Sequence, residues 1–153
     1  MREPRQVGGV AVGAIRLSSL TDSTSSPERQ REIIEGEAGL IRADKLIFTE
    51  ELDISATSVA VWDRPDLRYW LDNPHELDHL IVWKLDRVCR NVLETAWLIK
   101  WALDNGVNVV CNSPRLDLAT PLGRGIALFI GSIAEMEAVN TQERIRDARA
   151  YMA

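Results

Sequence analysis

Lysine, histidine and cysteine are all scarce in this chain, and long apolar runs are missing altogether. Basic residues number 18, of which 3 are lysine and 15 arginine, against 23 carboxylates and a net charge of −5. That balance argues against a self-sufficient DNA binder, because affinity for the phosphate backbone comes from surplus Lys and Arg. No uninterrupted apolar run is long enough to span a membrane. The opening MREPRQVGGV lacks the apolar stretch and small-residue cleavage site of a secretory signal. The two cysteines, Cys89 and Cys111, form no metal or CxxC spacing, so a reducing cytoplasm and a space-filling core role are expected for them. The two histidines, His75 and His79, flank the start of a predicted strand and are expected at the surface. A serine hydrolase is disfavoured, since there is no GxSxG elbow and no usable histidine. A nucleotide cofactor is disfavoured too: GRG at 123–125 lacks the third glycine of a dinucleotide fingerprint and follows a loop.

What is present fits one globular domain. The length of 153 residues, with 46% hydrophobic and 27% charged, can bury a real core. The arginine excess has two open readings, codon usage in a GC-rich genome or the planar guanidinium fork that suits phosphate oxygens. Position along the chain is what separates them.

The run GGVAVGAIRL at 8–17 is short, apolar and glycine-interrupted, as a central buried strand would be. It leads into SSLTDSTSS, which has turn and cap chemistry. Ser26-Pro27-Glu28 predicts a helix start, with Ser as cap and Pro at the first helical position, running to about Leu40. KLIFTE (45–50) predicts a second strand, 51–62 a loop, and Pro65 the start of a second helix. HLIVWKL (79–85) is the clearest strand. From Asn91 to Asn105 a helical face is drawn through Val92, Ala96, Ile99 and Leu103, ended by Gly106 as C-terminal cap. VNVVC (107–111) predicts a fourth strand and SPRLDLATPLG a loop. The order βαβαβαβα predicts a parallel sheet with helices on both faces.

From about Gly123 to Tyr151 little breaks a helix, and roughly 29 residues at about 1.5 Å each exceed the width of such a domain. Ile126, Phe129, Ile130, Ile133 and Met136 form a stripe along it, and the part beyond Met136 is strongly charged. The expected division is an α/β core over 1–122 and a long helix over 123–153, whose second half projects and packs against another subunit or DNA.

Arg16 and Ser18 are two apart at the carboxyl end of the first strand. Alternate residues of a strand share a face, so both can point to one site, whereas Ser19 points away. Open α/β sheets build sites beyond the carboxyl ends of their strands. The second piece, Lys84-Leu85-Asp86-Arg87-Val88-Cys89-Arg90, follows the third strand. Arg87 and Arg90 are three apart and would lie on one face near a helix start. Asp86 is expected at the mouth of the sheet.

Arg16-Leu17-Ser18, Gln30 in SPERQ, Arg64 in DRPDL and the segment KLDRVCR together resemble the serine recombinase family of resolvases, invertases and phage integrases. Gly131-Ser132-Ile133-Ala134-Glu135-Met136-Glu137 and Glu143-Arg144 match the family's pattern in its long helix, so the resemblance runs from about Val10 to Arg149. The polar stretch between Ser18 and Gln30 reads like that of the large serine integrases. Two departures stand out. Asp53-Ile54-Ser55-Ala56 has Ala where the family often has Gly, and Ala138 follows Glu137 where small resolvases often carry Arg.

The resemblance implies a resolvase-like catalytic domain that cleaves and rejoins DNA without metal or cofactor, in a bacterial or phage-encoded cytoplasmic protein. It implies Ser18 as the nucleophile of a 5′-phosphoserine intermediate, and Arg16, Arg64, Arg87 and Arg90 around the scissile phosphate. Asp86 would orient an Arg or assist protonation of the leaving 3′ oxygen, Gln30 would position the site, and Glu137 would support it from the long helix. The implied partners are double-stranded DNA attachment sites and a homodimer that pairs into a synaptic tetramer. Specific recognition would come from C-terminal DNA-binding domains outside this chain. A catalytically silent assembly module of the same fold is the alternative. Trp62, Trp70, Trp83, Trp97 and Trp101 are open to core packing or to an interface.

Overall fold

The computed structural model describes residues 4–17, 26–52, 60–113 and 115–152. Among the described residues, four parallel strands and one short antiparallel strand form a single sheet in the order β2-β1-β3-β4-β5. They are β1 (Val10–Leu17), β2 (Lys45–Leu52), β3 (His79–Val82), β4 (Asn108–Cys111) and β5 (Leu116–Asp117). Four helices connect or follow them: α1 (Pro27–Leu40), α2 (Pro65–Asp72), α3 (Val92–Asn105) and α4 (Pro121–Met152). Parallel pairing of β1 with both β2 and β3 makes β1 central, which explains its continuous apolar run.

Successive side chains of β1 feed two cores. Val12 joins Leu67, Leu71, Leu80, Val82, Leu98 and Val109 on the side of α2 and α3. Ala11 and Ile15 join Ile34, Ala38, Ile41, Ile81 and Val110 on the side of α1. Helices therefore cover both faces of a mostly parallel sheet, as the element order predicts.

Local signals set most helix ends. Ser26 Oγ accepts from Arg29 N at 3.3 Å, with Pro27 opening α1. Asn91 caps α3, its side chain accepting from Glu94 N at 3.0 Å. Gly106 ends α3 in the left-handed region, φ 66°, where a Cβ would be strained.

Three expectations need correction. The buried row of α3 is Glu94, Leu98, Ile99 and Ala102, not the stripe through Val92, Ala96 and Leu103, because a buried carboxylate occupies a place that hydrophobicity alone assigns to an apolar residue. The SPRLDLATPLG segment (113–123) is not all loop: β5 pairs with β4, and α4 begins at Pro121. A Cβ on Gly123 would fall on the Asp117 carbonyl, so this glycine lets the first turn of α4 seat against β5. Finally, His79 is fully buried, while His75 is exposed. His79 Nε2 donates to Gly8 O at 2.8 Å, its Nδ1 accepts from Asn108 Nδ2 at 3.3 Å, and Asn108 Oδ1 accepts from Ala119 N at 3.0 Å. These bonds satisfy a ring whose burial would otherwise cost several hydrogen bonds.

The 32 residues of α4 give a length of about 48 Å. Gly123, Ala127 and Ala134 face the domain, and among the described residues everything after Ala134 is exposed. Ile126, Phe129 and Met136 of the predicted stripe are exposed, whereas Ile130 and Ile133 are half-buried. No helix among the described residues is long and apolar enough to cross a membrane.

Candidate active site

The arginines of the sequence pattern come from three separate segments, at the carboxyl end of β1 and in the chain that follows β2 and β3. Arg16 is the penultimate residue of β1 and is only 4% exposed. Gln30, one turn into α1 and buried, holds its backbone: Gln30 Nε2 donates to Arg16 O at 3.1 Å, and Oε1 accepts from Arg16 N at 3.3 Å. Ser18 lies outside the described residues, as do Ser19 and the Asp53-Ile54-Ser55-Ala56 departure.

Arg64 follows a 3-10 turn (Val61–Asp63), opens α2, and is 2% exposed. Its Nη1 stands 3.5 Å from Oε2 of Glu51 on β2, while its Nε and Nη2 have no hydrogen-bond partner among the described residues. Glu51 Oε1 accepts from Asp66 N at 3.2 Å and Leu67 N at 3.4 Å, so this carboxylate caps α2 from across the sheet in place of a local cap. Burial dominates both partners: it pushes the Glu51 carboxyl up despite Arg64 and the two amides, and the Arg64 guanidinium down despite Glu51.

After β3 the chain turns through a further 3-10 segment, Leu85–Arg87. Asp86 is exposed and Arg87 half-buried, with the Arg87 Cζ 5.7 Å and Lys84 Nζ 4.6 Å from the Trp83 ring centroid. Arg90 lies just ahead of α3, its side chain 33% exposed and its Nε bonded to Oε2 of Glu94. Between these arginines Cys89 is 3% exposed, and burial pushes its thiol up to about 12, which suits a packing residue rather than a reactive one.

These segments sense one another electrostatically. The Arg16 guanidinium is lowered first by burial, then by the charges of Arg64 and Arg87, against the opposing pull of Glu51 and Asp86. Four of the expected residues thus share one field: Arg16, Arg64, Asp86 and Arg87. Glu94 brings in Arg90, because its Oε1 also accepts from Val61 N at 2.8 Å, three residues before Arg64. Glu137 stands apart, exposed on α4 three residues past its last described buried position. His79 begins β3, at the opposite end of the parallel strands from Arg16.

Two carboxylates of this network, Glu51 and Glu94, were not singled out by sequence pattern. Glu94 carries a usable signal, a Glu four residues after Arg90 at a helix start. Glu51 shares the inward parity of β2 with buried Thr49, where an acidic residue is unexpected. Of the tryptophans, Trp62 and Trp97 are partly exposed and pack together with centroids 5.3 Å apart. Trp101 packs against the core and donates from Nε1 to Leu71 O at 3.0 Å.

The chain is 32% identical over 135 residues to a DNA-invertase of Enterobacteria phage P7, covering 88% of this chain and 66% of that relative. It is 35% identical over 123 residues to the Transposon Tn2501 resolvase of Escherichia coli, covering 80% and 60%. It therefore spans about two thirds or less of the length of these relatives. The fold matches the N-terminal catalytic domain of TP901-1 integrase with a TM-score of 0.69 at 21% identity, covering 85% of this chain and 96% of that one. A resolvase family site-specific recombinase from Streptococcus pneumoniae matches with a TM-score of 0.70 at 18% identity, covering 93% and 96%. Residues 11–153 match the family described as Resolvase, N terminal domain, and the chain belongs to that family.

Proposed function

We propose that this chain is the DNA-cleaving and rejoining unit of a serine site-specific recombinase, with Ser18 as nucleophile. The observation that carries the reading is the burial of Arg16 and Arg64, 4% and 2% exposed, with half-buried Arg87 from a third segment near enough for its charge to be felt at Arg16. Like charges held together in a buried place are costly, and a bound phosphodiester relieves that cost. Fixed cations are worth most against negative charge that develops in a transition state, and phosphoryl transfer depends mainly on positioning and electrostatics.

In the proposed step the Ser18 oxygen forms a bond to phosphorus while the bond to the 3′ oxygen breaks. Ser18 gives up its proton, and the 3′ oxygen takes one, assisted by Asp86. Arg16, Arg64, Arg87 and Arg90 neutralise the phosphoryl oxygens, and Gln30 holds the Arg16 backbone. The phosphoserine link keeps the energy of the broken bond, so a 3′ hydroxyl can attack it after strand exchange and release Ser18. Neither half-reaction changes an oxidation state, and the arginines supply the charge that a metal supplies elsewhere.

The long α4 with exposed Leu122, Leu128, Phe129, Met136 and Val139 supports a role for 123–153 in self-association, first to a dimer and then to a tetramer with paired double-stranded DNA sites. The net charge of −5 supports sequence recognition by separate C-terminal DNA-binding domains. The test is to incubate the full-length protein with duplex DNA carrying its recombination site, digest the product and locate the attached nucleotide by mass spectrometry. A 5′-phosphoryl nucleotide on Ser18 is the expected result; attachment to another residue would overturn the assignment.

A further inference from the structure

Glu94 is 1% exposed, yet it is a carboxylate in the first turn of an otherwise apolar inward row. Burying a carboxylate is costly unless it is paired and fully hydrogen-bonded, so its place calls for a reason. Its contacts supply one. Oε1 accepts from Val61 N at 2.8 Å and from Arg90 N at 3.4 Å, while Oε2 takes the Nε–H of Arg90. One carboxylate thus grips both the turn that leads into Arg64 and the main chain and side chain of Arg90. Its charge is also felt at the Arg64 guanidinium. Asn91 in turn fixes Glu94 N at 3.0 Å, so the clamp is anchored to the start of α3.

We propose that Glu94 is a positioning residue, which sets the guanidinium plane of Arg90 and the entry of Arg64 so that both meet the same phosphate. A bond at Nε leaves the guanidinium little freedom to rotate, which matters because its donors form a rigid planar fork. The Arg90 side chain is one third exposed and Glu94 almost wholly buried, so the clamp lies behind the arginine and the arginine faces outward. This inference rests on the reading that Arg64 and Arg90 hold the scissile phosphate.

A neutral amide in place of the carboxylate keeps an acceptor for Val61 N but gives up the charge that orients Arg90. The experiment compares wild type, Glu94→Gln and Glu94→Asp in the full-length protein, in single turnover against duplex DNA carrying its recombination site. The rate of covalent product formation is followed as a function of DNA concentration. Thermal unfolding of the same samples fixes a temperature at which all three are folded. Glu94→Gln is expected to lower the saturating rate by about 100-fold, the scale of a slight misplacement, with the half-saturating DNA concentration within about threefold of wild type. Glu94→Asp, which keeps the charge, is expected to recover at least about a tenth of the wild-type rate. A Glu94→Gln rate within about threefold of wild type, or equal losses in both variants, overturns the inference alone. If Glu94→Gln does not fold, Glu94→Asp decides: a saturating rate lowered about three- to tenfold with half-saturation within about threefold of wild type supports the inference, and an unchanged saturating rate or a loss confined to half-saturation overturns it. A wild type that forms no covalent product overturns the underlying reading, and is told apart because it fails before any substitution is made.

Discussion

The side-chain amide of Gln30 closes on the peptide groups of Arg16 from both sides, donating to its carbonyl at 3.1 Å and accepting from its N–H at 3.3 Å. The contact sits at the end of β1, where the strand gives way to the segment bearing Ser18. Gln30 therefore replaces a neighbouring strand for one residue and fixes the backbone from which the Arg16 side chain projects.

Replacing Gln30 by Ala should leave two buried backbone groups of Arg16 without this partner and cost about 2 to 3 kcal/mol of stability. Urea unfolding measures it. Gln30→Glu should be worse than Gln30→Ala near neutral pH, because a carboxylate would face the Arg16 carbonyl where the amide now donates.

Glu51 and Arg64 are buried together, and their exchange should be strongly non-additive. Glu51→Ala strands the Arg64 charge and uncaps α2, with an expected loss of about 3 to 5 kcal/mol. A double variant, Glu51→Leu with Arg64→Met, should lose less than Glu51→Ala by itself, since no charge is then left buried. A double-mutant cycle by denaturation checks this, and strict additivity would mean that the two side chains do not interact. The same double variant should lose covalent product formation, which separates the stability cost of Arg64 from its use.

His79 should make stability depend on pH. Burial lowers it from its ordinary 6.5, ahead of Gly8 O, Asp78 and Asp117, which raise it, and of Arg5, which lowers it further. The unfolded chain then binds more protons than the folded one just below pH 6.5, so stability rises with pH up to that value and falls as pH drops below it. The contribution has a slope of at most about 1.4 kcal/mol per pH unit. Unfolding free energies at pH 7.5 and 5.5 should differ less in His79→Asn than in wild type. An unchanged difference would remove His79 as the titrating group.

The sheet and its helices were legible because period, caps and breakers agree. Ser26-Pro27, Pro65 and Gly106 each mark an end that the structure places within a residue or so. β5 was not legible, since Leu116–Asp117 is too short to show alternation and exists only through its pairing with β4. His79 was misread because a histidine before an apolar run suits a strand entrance at the surface. Its burial depends on Asn108 and Gly8, which tertiary structure alone brings near. Arg87 and Arg90 were visible as spacing, whereas the full set with Arg16 and Arg64 was visible only through the resemblance to serine recombinases. The carboxylates that organise this set, Glu51 and Glu94, were hidden because acidic residues in a strand and at a helix start have ordinary explanations.

The central claim is that Ser18 joins DNA at a 5′ phosphate, and it is tested most directly by comparing wild type with Ser18→Ala on end-labelled duplex DNA carrying the recombination site. On a denaturing gel, wild type should shift only the 3′-end-labelled fragment, whose 5′ phosphate carries the protein, while the 5′-end-labelled fragment runs free with a 3′ hydroxyl. Ser18→Ala should bind the same DNA and give neither product. A covalent product retained by Ser18→Ala, or a link to the 3′ end, would contradict it.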